Sequence, residues 1–171
     1  MMRRIAGFKF AALACCMLAL AACSKKASID EGPGGGGGGG EPGIGDSAGP
    51  GSVREFQTEV GDTVYYLVDQ SSLTPEGQET LRRQATWLQQ YNSVTIQVEG
   101  HADERGTREY NIALSAKRAT TTRNFLISQG VPGNRISSIA FGKEKPAALC
   151  DAESCWSQNR RTVTVITGGA K

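Results

Sequence analysis

Polar and apolar positions change period several times along the chain, and each change marks an element. Val64-Tyr65-Tyr66-Leu67-Val68 is β-branched and aromatic and predicts a strand. Thr74-Pro75-Glu76-Gly77 supplies a cap residue with proline at the first helical position. Leu81, Ala85, Leu88 and Tyr91 then recur at helical spacing through an otherwise polar segment, which predicts a helix from about Pro75 to Gln90. Val94-Thr95-Ile96-Gln97-Val98 alternates as a half-buried strand does. A second helix is predicted from about Arg108 to Gln129, with Ile112, Ala116, Ala119, Arg123 and Leu126 on one face. Gly130 stops it and Pro132 prevents its return. Two further strands are predicted, Ile136 to Phe141 and Thr162 to Ile166. The order β-α-β-α-β-β predicts an α+β fold in two layers, with helices packed on one face of a mixed sheet. The short connection between Phe141 and Arg161 is compatible with an antiparallel last pair, and strand order is not readable from the pattern.

Before residue 53 the pattern is of another kind. Arg3, Arg4 and Lys9 precede an apolar run, Phe10 to Ala22, which has the length of a signal-peptide core and falls short of the roughly 20 residues of a membrane span. Its end, Leu20-Ala21-Ala22-Cys23, resembles the lipobox of bacterial lipoproteins, so residues 1–22 are expected to be removed and Cys23 to carry lipid on its thiol. Cys15 and Cys16 read as small hydrophobes. From Ser24 to about Ser52 the chain has seven consecutive glycines, Gly34 to Gly40, with Pro33, Pro42 and Pro50 around them and few apolar residues. Such a segment cannot bury enough surface to offset chain entropy. A disordered tether over 23–52 is expected, leading to one domain over 53–171. As a flexible coil the tether spans about 30 Å r.m.s., and about 100 Å when fully stretched. A domain on such a leash can search for a fixed target; a passive spacer would have the same composition.

Charge and cysteine usage narrow the classes further. Loss of residues 1–22 removes three positive charges and takes the formal net charge from +2 to −1. No long basic run remains, so the electrostatic footprint of nucleic-acid binding is missing. Export through a signal peptide permits disulfides. Cys150 and Cys155, in CDAESC, are close enough to close a small loop, which the chain-entropy model values at about 2 kcal/mol. Two free thiols are the alternative. A metal site would need about four suitable ligands, and His101 lies far away in sequence. No metal and no cofactor are expected.

Residues 100–119, GHADERGTREYNIALSAKRA, pack charges of both signs around the sole histidine, between the second predicted strand and the second helix. A hydrolase triad would need a nucleophile held by His101, and no nucleophile-elbow pattern occurs. The glycine run lacks the Lys and Ser or Thr of a phosphate-binding loop. Adjacent carboxylates such as Asp103 and Glu104 are commoner as solvated charge or cap residues than as an acid-base pair. His101, at a strand end, is expected to hydrogen-bond backbone and pack a pocket floor rather than transfer protons. The protein is not expected to be an enzyme. Recognition fits the pattern better. Asn111, Leu114, Ser115 and Arg118 share one helical stripe, and Asp103 sits in the loop before it. If the stripe turns toward the loop, Asp103 can accept from an ammonium while Arg118 donates to a carboxylate, the pairing a zwitterion requires. An internal Asp103 to Arg118 salt bridge over an empty groove fits the same spacing equally well.

The wording of several segments bears on that choice. GHADERGTREYNIAL at 100–114, Arg118-Ala119, LISQGVPGNRI at 126–136, FGKEKPA at 141–147 and WSQNRR at 156–161 together resemble the OmpA-like peptidoglycan-binding domain family, and more narrowly its lipoprotein members of the Tol system, over roughly Val64 to Ile166. The resemblance implies a non-catalytic module that holds the peptide stem of peptidoglycan through diaminopimelate, whose free end carries an ammonium and a carboxylate. It implies that Asp103 and Arg118 clasp that group and that Asn111 shapes or contacts the pocket. Asp69 and Tyr66 from the first strand and Leu114 from the helical stripe complete the expected peptidoglycan site. The family's first-strand motif usually reads Phe-Asp-Phe-Asp; Tyr66-Leu67-Val68-Asp69 stands here, with Val68 in place of the second ring. In the family the Asn159-Arg160-Arg161 segment is a domain signature, and Arg160 is expected to help hold the fold near the site. Cys150 and Cys155 depart from many of these lipoproteins and would pin the connection before the last strand.

The resemblance further implies an outer-membrane lipoprotein facing the periplasm, which binds peptidoglycan non-covalently and ties membrane to wall, in support of envelope integrity and cell division. Ser24 after Cys23 agrees with outer-membrane sorting. TolB is the expected protein partner, at a surface of Glu104, Arg105, Thr107, Glu109 and Tyr110. The alternatives are a protein-interaction module of the Tol system with little wall affinity and, more distantly, a periplasmic wall hydrolase.

Overall fold

The computed structural model describes residues 49–171; the expected signal peptide, Cys23 and the tether up to residue 48 lie outside the described residues. Ser52 opens the domain. Its hydroxyl accepts the Glu55 N–H at 3.1 Å and caps α1 (Val53–Glu55), which runs on as a π-helical turn, Phe56–Val60. Trp87 Nε1 donates to the Glu55 carboxylate at 2.7 Å, and the Phe56 and Trp87 rings lie 4.8 Å apart, which fastens this lead-in to α2 (Pro75–Gln90). Periodicity gives no sign of it, because only Phe56 and Val60 of its residues are buried.

β1 (Thr63–Tyr65), β2 (Thr95–His101), β3 (Ile136–Gly142) and β4 (Arg161–Gly168) form one mixed sheet in the order β1-β4-β2-β3. α2 and α3 (Arg108–Ser128) supply the second layer. Leu81, Ala85 and Leu88 of α2 and Ala119 and Leu126 of α3 bury against Val64, Ile96, Val98, Ile136 and Ile166 of the strands. Gly100 lets α3 come close, since a Cβ there would lie 2.1 Å from the Ser115 carbonyl oxygen.

Three expectations change. The last two strands are not neighbours: β4 lies between β1 and β2, antiparallel to both, and β3 pairs in parallel with β2. The connection after β3 carries a helix of its own, α4 (Glu153–Asn159), so it passes beyond β2 instead of turning back as a hairpin. The first strand ends at Tyr65 rather than Val68, and the chain turns at Asp69, whose φ is +56°. The Leu67 and Gln70 carbonyls accept from Arg118 instead of entering a ladder, which overrides the strand propensity of the run. The buried face of α3 is also different from the expected Ile112, Ala116, Ala119, Arg123 and Leu126. It holds Asn111, Ser115, Arg118 and Thr122 beside Ala119 and Leu126. Ser115 Oγ donates to the Ile112 carbonyl and accepts the Gly142 N–H, each at 3.0 Å. The Thr122 hydroxyl lies 2.7 Å from that of Tyr66 and 3.0 Å from that of Thr162. Polar groups with partners in place can be buried without penalty.

Because β4 is antiparallel to β1 and β2, and β2 is parallel to β3, the carboxyl ends of β1, β2 and β3 share one edge of the sheet with the start of β4. The loop from β2 into α3 leaves from that edge, the usual place for a ligand crevice in a sheet of this type.

Candidate functional site

A pocket of about 260 Å³ opens there. Its walls come from the turn after β1 (Val68, Asp69), the loop after β2 (Asp103, Arg105, Gly106) and the first turns of α3 (Tyr110, Asn111, Leu114, Arg118). Thr107 starts the helix by accepting the Tyr110 N–H at 3.2 Å, and Gly106, at φ +86°, bends the loop into it. Asn111 Nδ2 donates to the Arg105 carbonyl at 2.8 Å and holds the bend.

Arg118 forms the floor and is fully buried. Its Nε donates to the Gln70 carbonyl at 2.8 Å, Nη1 to that of His101 at 2.9 Å and Nη2 to that of Leu67 at 3.2 Å. Among the described residues no carboxylate oxygen comes within 4.0 Å of it, so the internal bridge to Asp103 is not formed. Burial lowers its pKa to about 10, which leaves it charged at neutral pH. An arginine has five N–H donors. With three engaged, one remains on each terminal nitrogen.

Asp103 has a cation on either side. Arg105 grips it through Nη2 to Oδ2 at 2.6 Å and Nε to Oδ1 at 3.1 Å, and Arg160 Nη1 reaches Oδ2 at 3.3 Å. Burial alone would raise this carboxyl, but the bonds from Arg105 and Arg160 outweigh it and hold the group below the usual carboxylate range. Arg160 is buried, donates to the Tyr66 carbonyl at 3.2 Å and pairs with Glu153 of α4. The Tyr110 hydroxyl donates to Asp69 at the rim. The lining therefore carries two carboxylates and two guanidiniums, a balance suited to a zwitterion.

Of the residues expected to hold ligand, Asp69, Asp103, Asn111, Leu114 and Arg118 line this one pocket and Tyr66 does not. Tyr66 is buried, with its hydroxyl donating to the Arg118 carbonyl at 3.2 Å and its ring centroid 5.2 Å from the Arg118 guanidinium carbon. It braces the floor, and Val68 supplies the wall. Of the residues expected to face a protein partner, Arg105 and Tyr110 belong to the pocket lining. Glu104 accepts the Trp156 indole N–H at 2.9 Å, Thr107 caps α3, and Glu109 is exposed in its first turn. Sequence reasoning missed the grip of Arg105 and Arg160 on Asp103. The available signal, two arginines before a strand, does not say which carboxylate they meet.

Cys150 and Cys155 are joined by a disulfide that closes the loop into α4, with Cα atoms 5.6 Å apart. The next residue, Trp156, places its ring 4.2 Å from the Arg105 guanidinium carbon. Among the described residues no cluster of three or more His, Cys, Asp or Glu side chains could hold a metal ion.

His101 lies behind the pocket, its ring centroid 5.5 Å from that of Phe141. Neither ring nitrogen meets hydrogen-bond geometry with a partner among the described residues; Nε2 lies 3.7 Å from a Glu99 carboxylate oxygen, and the Lys145 backbone favours the protonated ring without outweighing burial. Burial, reinforced by the charges of Arg161 and Lys145, lowers its pKa from 6.5 to about 4. The unfolded chain then takes up this proton before the folded one does, so stability is lost as pH falls from 6.5 to 4 and is unaffected by this group above that window. The loss is about 2 kcal/mol once relaxation around the charged ring is allowed for. Denaturant titrations between pH 7 and pH 4 are expected to show His101→Phe losing less stability over this range than the wild type; parallel curves would refute the assignment.

Fold and pocket together define a domain of the OmpA class, and residues 65–160 match the model of the OmpA family. The peptidoglycan-associated lipoprotein of Agrobacterium fabrum is 54% identical over 151 residues, covering 88% of this chain and 83% of that protein. That of Rhizobium meliloti is 52% identical over 154 residues, with the same shares of 88% and 83%. The crystal structure of the peptidoglycan-associated lipoprotein from Burkholderia pseudomallei superposes with a TM-score of 0.62 at 36% identity, over 65% of this chain and 96% of that one. The chain belongs to the family of peptidoglycan-associated lipoproteins. These relatives are named as lipoproteins and not as enzymes, and among the described residues no helix is long and apolar enough to cross a membrane.

Proposed function

We propose that the domain binds peptidoglycan non-covalently by the zwitterionic end of diaminopimelate in the stem peptide. The observation that carries this reading is Arg118: a buried guanidinium under an open pocket, with no carboxylate oxygen within 4.0 Å of it among the described residues and two N–H groups left. A buried charge in that state calls for an anion. The ligand carboxylate meets the Arg118 fork, the ammonium meets Asp103, and Asp69, Asn111 and Leu114 shape the space between. The names of the relatives support the wall as target. Lipid on Cys23 would place the domain in the periplasm on a tether from the outer membrane, so that binding links membrane to wall and supports envelope integrity and cell division. TolB is the expected competitor, approaching by Glu104, Arg105, Thr107, Glu109 and Tyr110.

Sedimentation with purified sacculi tests the reading. Wild type is expected in the pellet and Asp103→Ala in the supernatant, because truncation removes the ammonium acceptor from a site only 10% exposed at that side chain. The loss should be about 2 to 3 kcal/mol, roughly 30- to 150-fold in affinity. Wild type that stays in solution at all protein concentrations would end the proposal, and release of soluble muropeptides would point to a hydrolase instead.

A further inference from the structure

The carboxylate assigned above to the ligand's ammonium is already gripped. We infer that Arg105 is an internal latch: in the empty protein its guanidinium occupies the cation position at Asp103, and a ligand must displace it to bind. The inference rests on Asp103 being the ammonium acceptor.

Three observations on one loop lead to it. The grip has the geometry of ligand recognition, with Nη2 and Nε on separate carboxylate oxygens at 2.6 and 3.1 Å. A chain cation therefore stands in for the cation of a ligand. The two guanidiniums on Asp103 are not equivalent, since the Arg160 side chain is 6% exposed and that of Arg105 is 39% exposed. Arg160 is also fixed by the Tyr66 carbonyl and Glu153, so it stays as the lasting counter-charge when Arg105 leaves. Finally, the loop backbone is held independently of the latch. Lys143 Nζ donates to the carbonyls of Glu104 at 3.1 Å and Gly106 at 2.8 Å, and Asn111 to that of Arg105 at 2.8 Å. Only the Arg105 side chain needs to swing. Trp156 gives the closed position a second support, its ring 4.2 Å from the guanidinium carbon and its indole tied to Glu104.

The latch sets specificity. A lone carboxylate cannot take the place of Arg105 on Asp103, and a lone ammonium competes with a bidentate guanidinium without other contacts. A zwitterion anchored on Arg118 brings its ammonium to Asp103 as an intramolecular event and wins the exchange. The apparent dissociation constant is the intrinsic one divided by the open fraction. A partly exposed ion pair with one stacked ring keeps that fraction near one in three to one in ten.

Calorimetric titration of the full chain in detergent with the soluble tripeptide L-alanyl-γ-D-glutamyl-meso-diaminopimelate decides the matter. Arg105→Ala is expected to bind about three- to tenfold more tightly than wild type, with Arg105→Lys in between. A loop damaged by the substitution would bind more weakly, so the direction of change separates release of a latch from loss of structure. Binding by wild type with equal or weaker binding by Arg105→Ala overturns the latch and leaves the reading of Asp103 in place. No binding by either protein overturns both. Binding by Arg105→Ala alone supports a latch that holds the wild type shut.

Discussion

Arg118→Met is expected to lower the stability of the domain by about 4 kcal/mol, and the melting temperature by about 15 °C, before any question of ligand arises. The carbonyl of His101 would lose its donor inside the protein, that of Gln70 would lose one at a part-buried position, and that of Leu67 would keep only the Gln70 N–H. A buried group left without a partner costs about 1 to 3 kcal/mol. Methionine removes the desolvation of the guanidinium and fills most of its volume, which offsets part of the sum. It cannot supply three divergent donors. Arg118→Lys keeps the charge and should fare little better, since one ammonium cannot reach all three carbonyls in the fork geometry. Loss of sacculus binding by an Arg118 variant is thus a poor test of ligand contact, because the turn carrying Val68 and Asp69 is released at the same time. Thermal unfolding followed by circular dichroism checks this; a midpoint within about 2 °C of wild type for Arg118→Met would show that the three bonds contribute little.

Gly100→Ala should be of similar size, about 3 kcal/mol or somewhat more, for a steric reason. Its Cβ would stand 2.1 Å from the Ser115 carbonyl oxygen and 3.2 Å from the Ala119 Cβ. Neither is a side-chain tip that can turn away, so α3 must move off β2 along the turns that carry Ser115 and Arg118. Purified Gly100→Ala is expected to unfold at much lower denaturant than wild type and to bind sacculi weakly. A midpoint shift worth less than about 1 kcal/mol would mean that α3 slides at little cost.

What could be read from the sequence was what is encoded locally. Thr74 before Pro75, and Gly130 before Pro132, set helix limits that depend on residues a few positions away; α2 begins at Pro75, and α3 ends at Ser128, one residue short of the expected Gln129. Asn111, Leu114 and Arg118 fall on one stripe by helical geometry alone, and all three reach the pocket. The misses are non-local. Arg160 meets Asp103 across 57 positions, and β4 enters between strands that precede it by far more than a turn. No periodicity reports such contacts. Leu67 and Val68 failed as strand residues because a distant guanidinium competes for the backbone there, and nothing in the sequence said that three of the Arg118 donors would also hold the fold.

The strand order has a consequence for how the sheet is made. Thr63 of β1 finds its partner Val163 a hundred positions later, and the last described strand occupies an interior place between β1 and β2. A chain delivered amino end first exposes β1 and the inner edge of β2 until residues 161–168 arrive. Closing so long a loop is slow, and open strand edges invite pairing with other chains in the meantime. Folding of this domain therefore waits on its final strand, and shortening the chain by a few residues from β4 would remove the centre of the sheet rather than fray its margin.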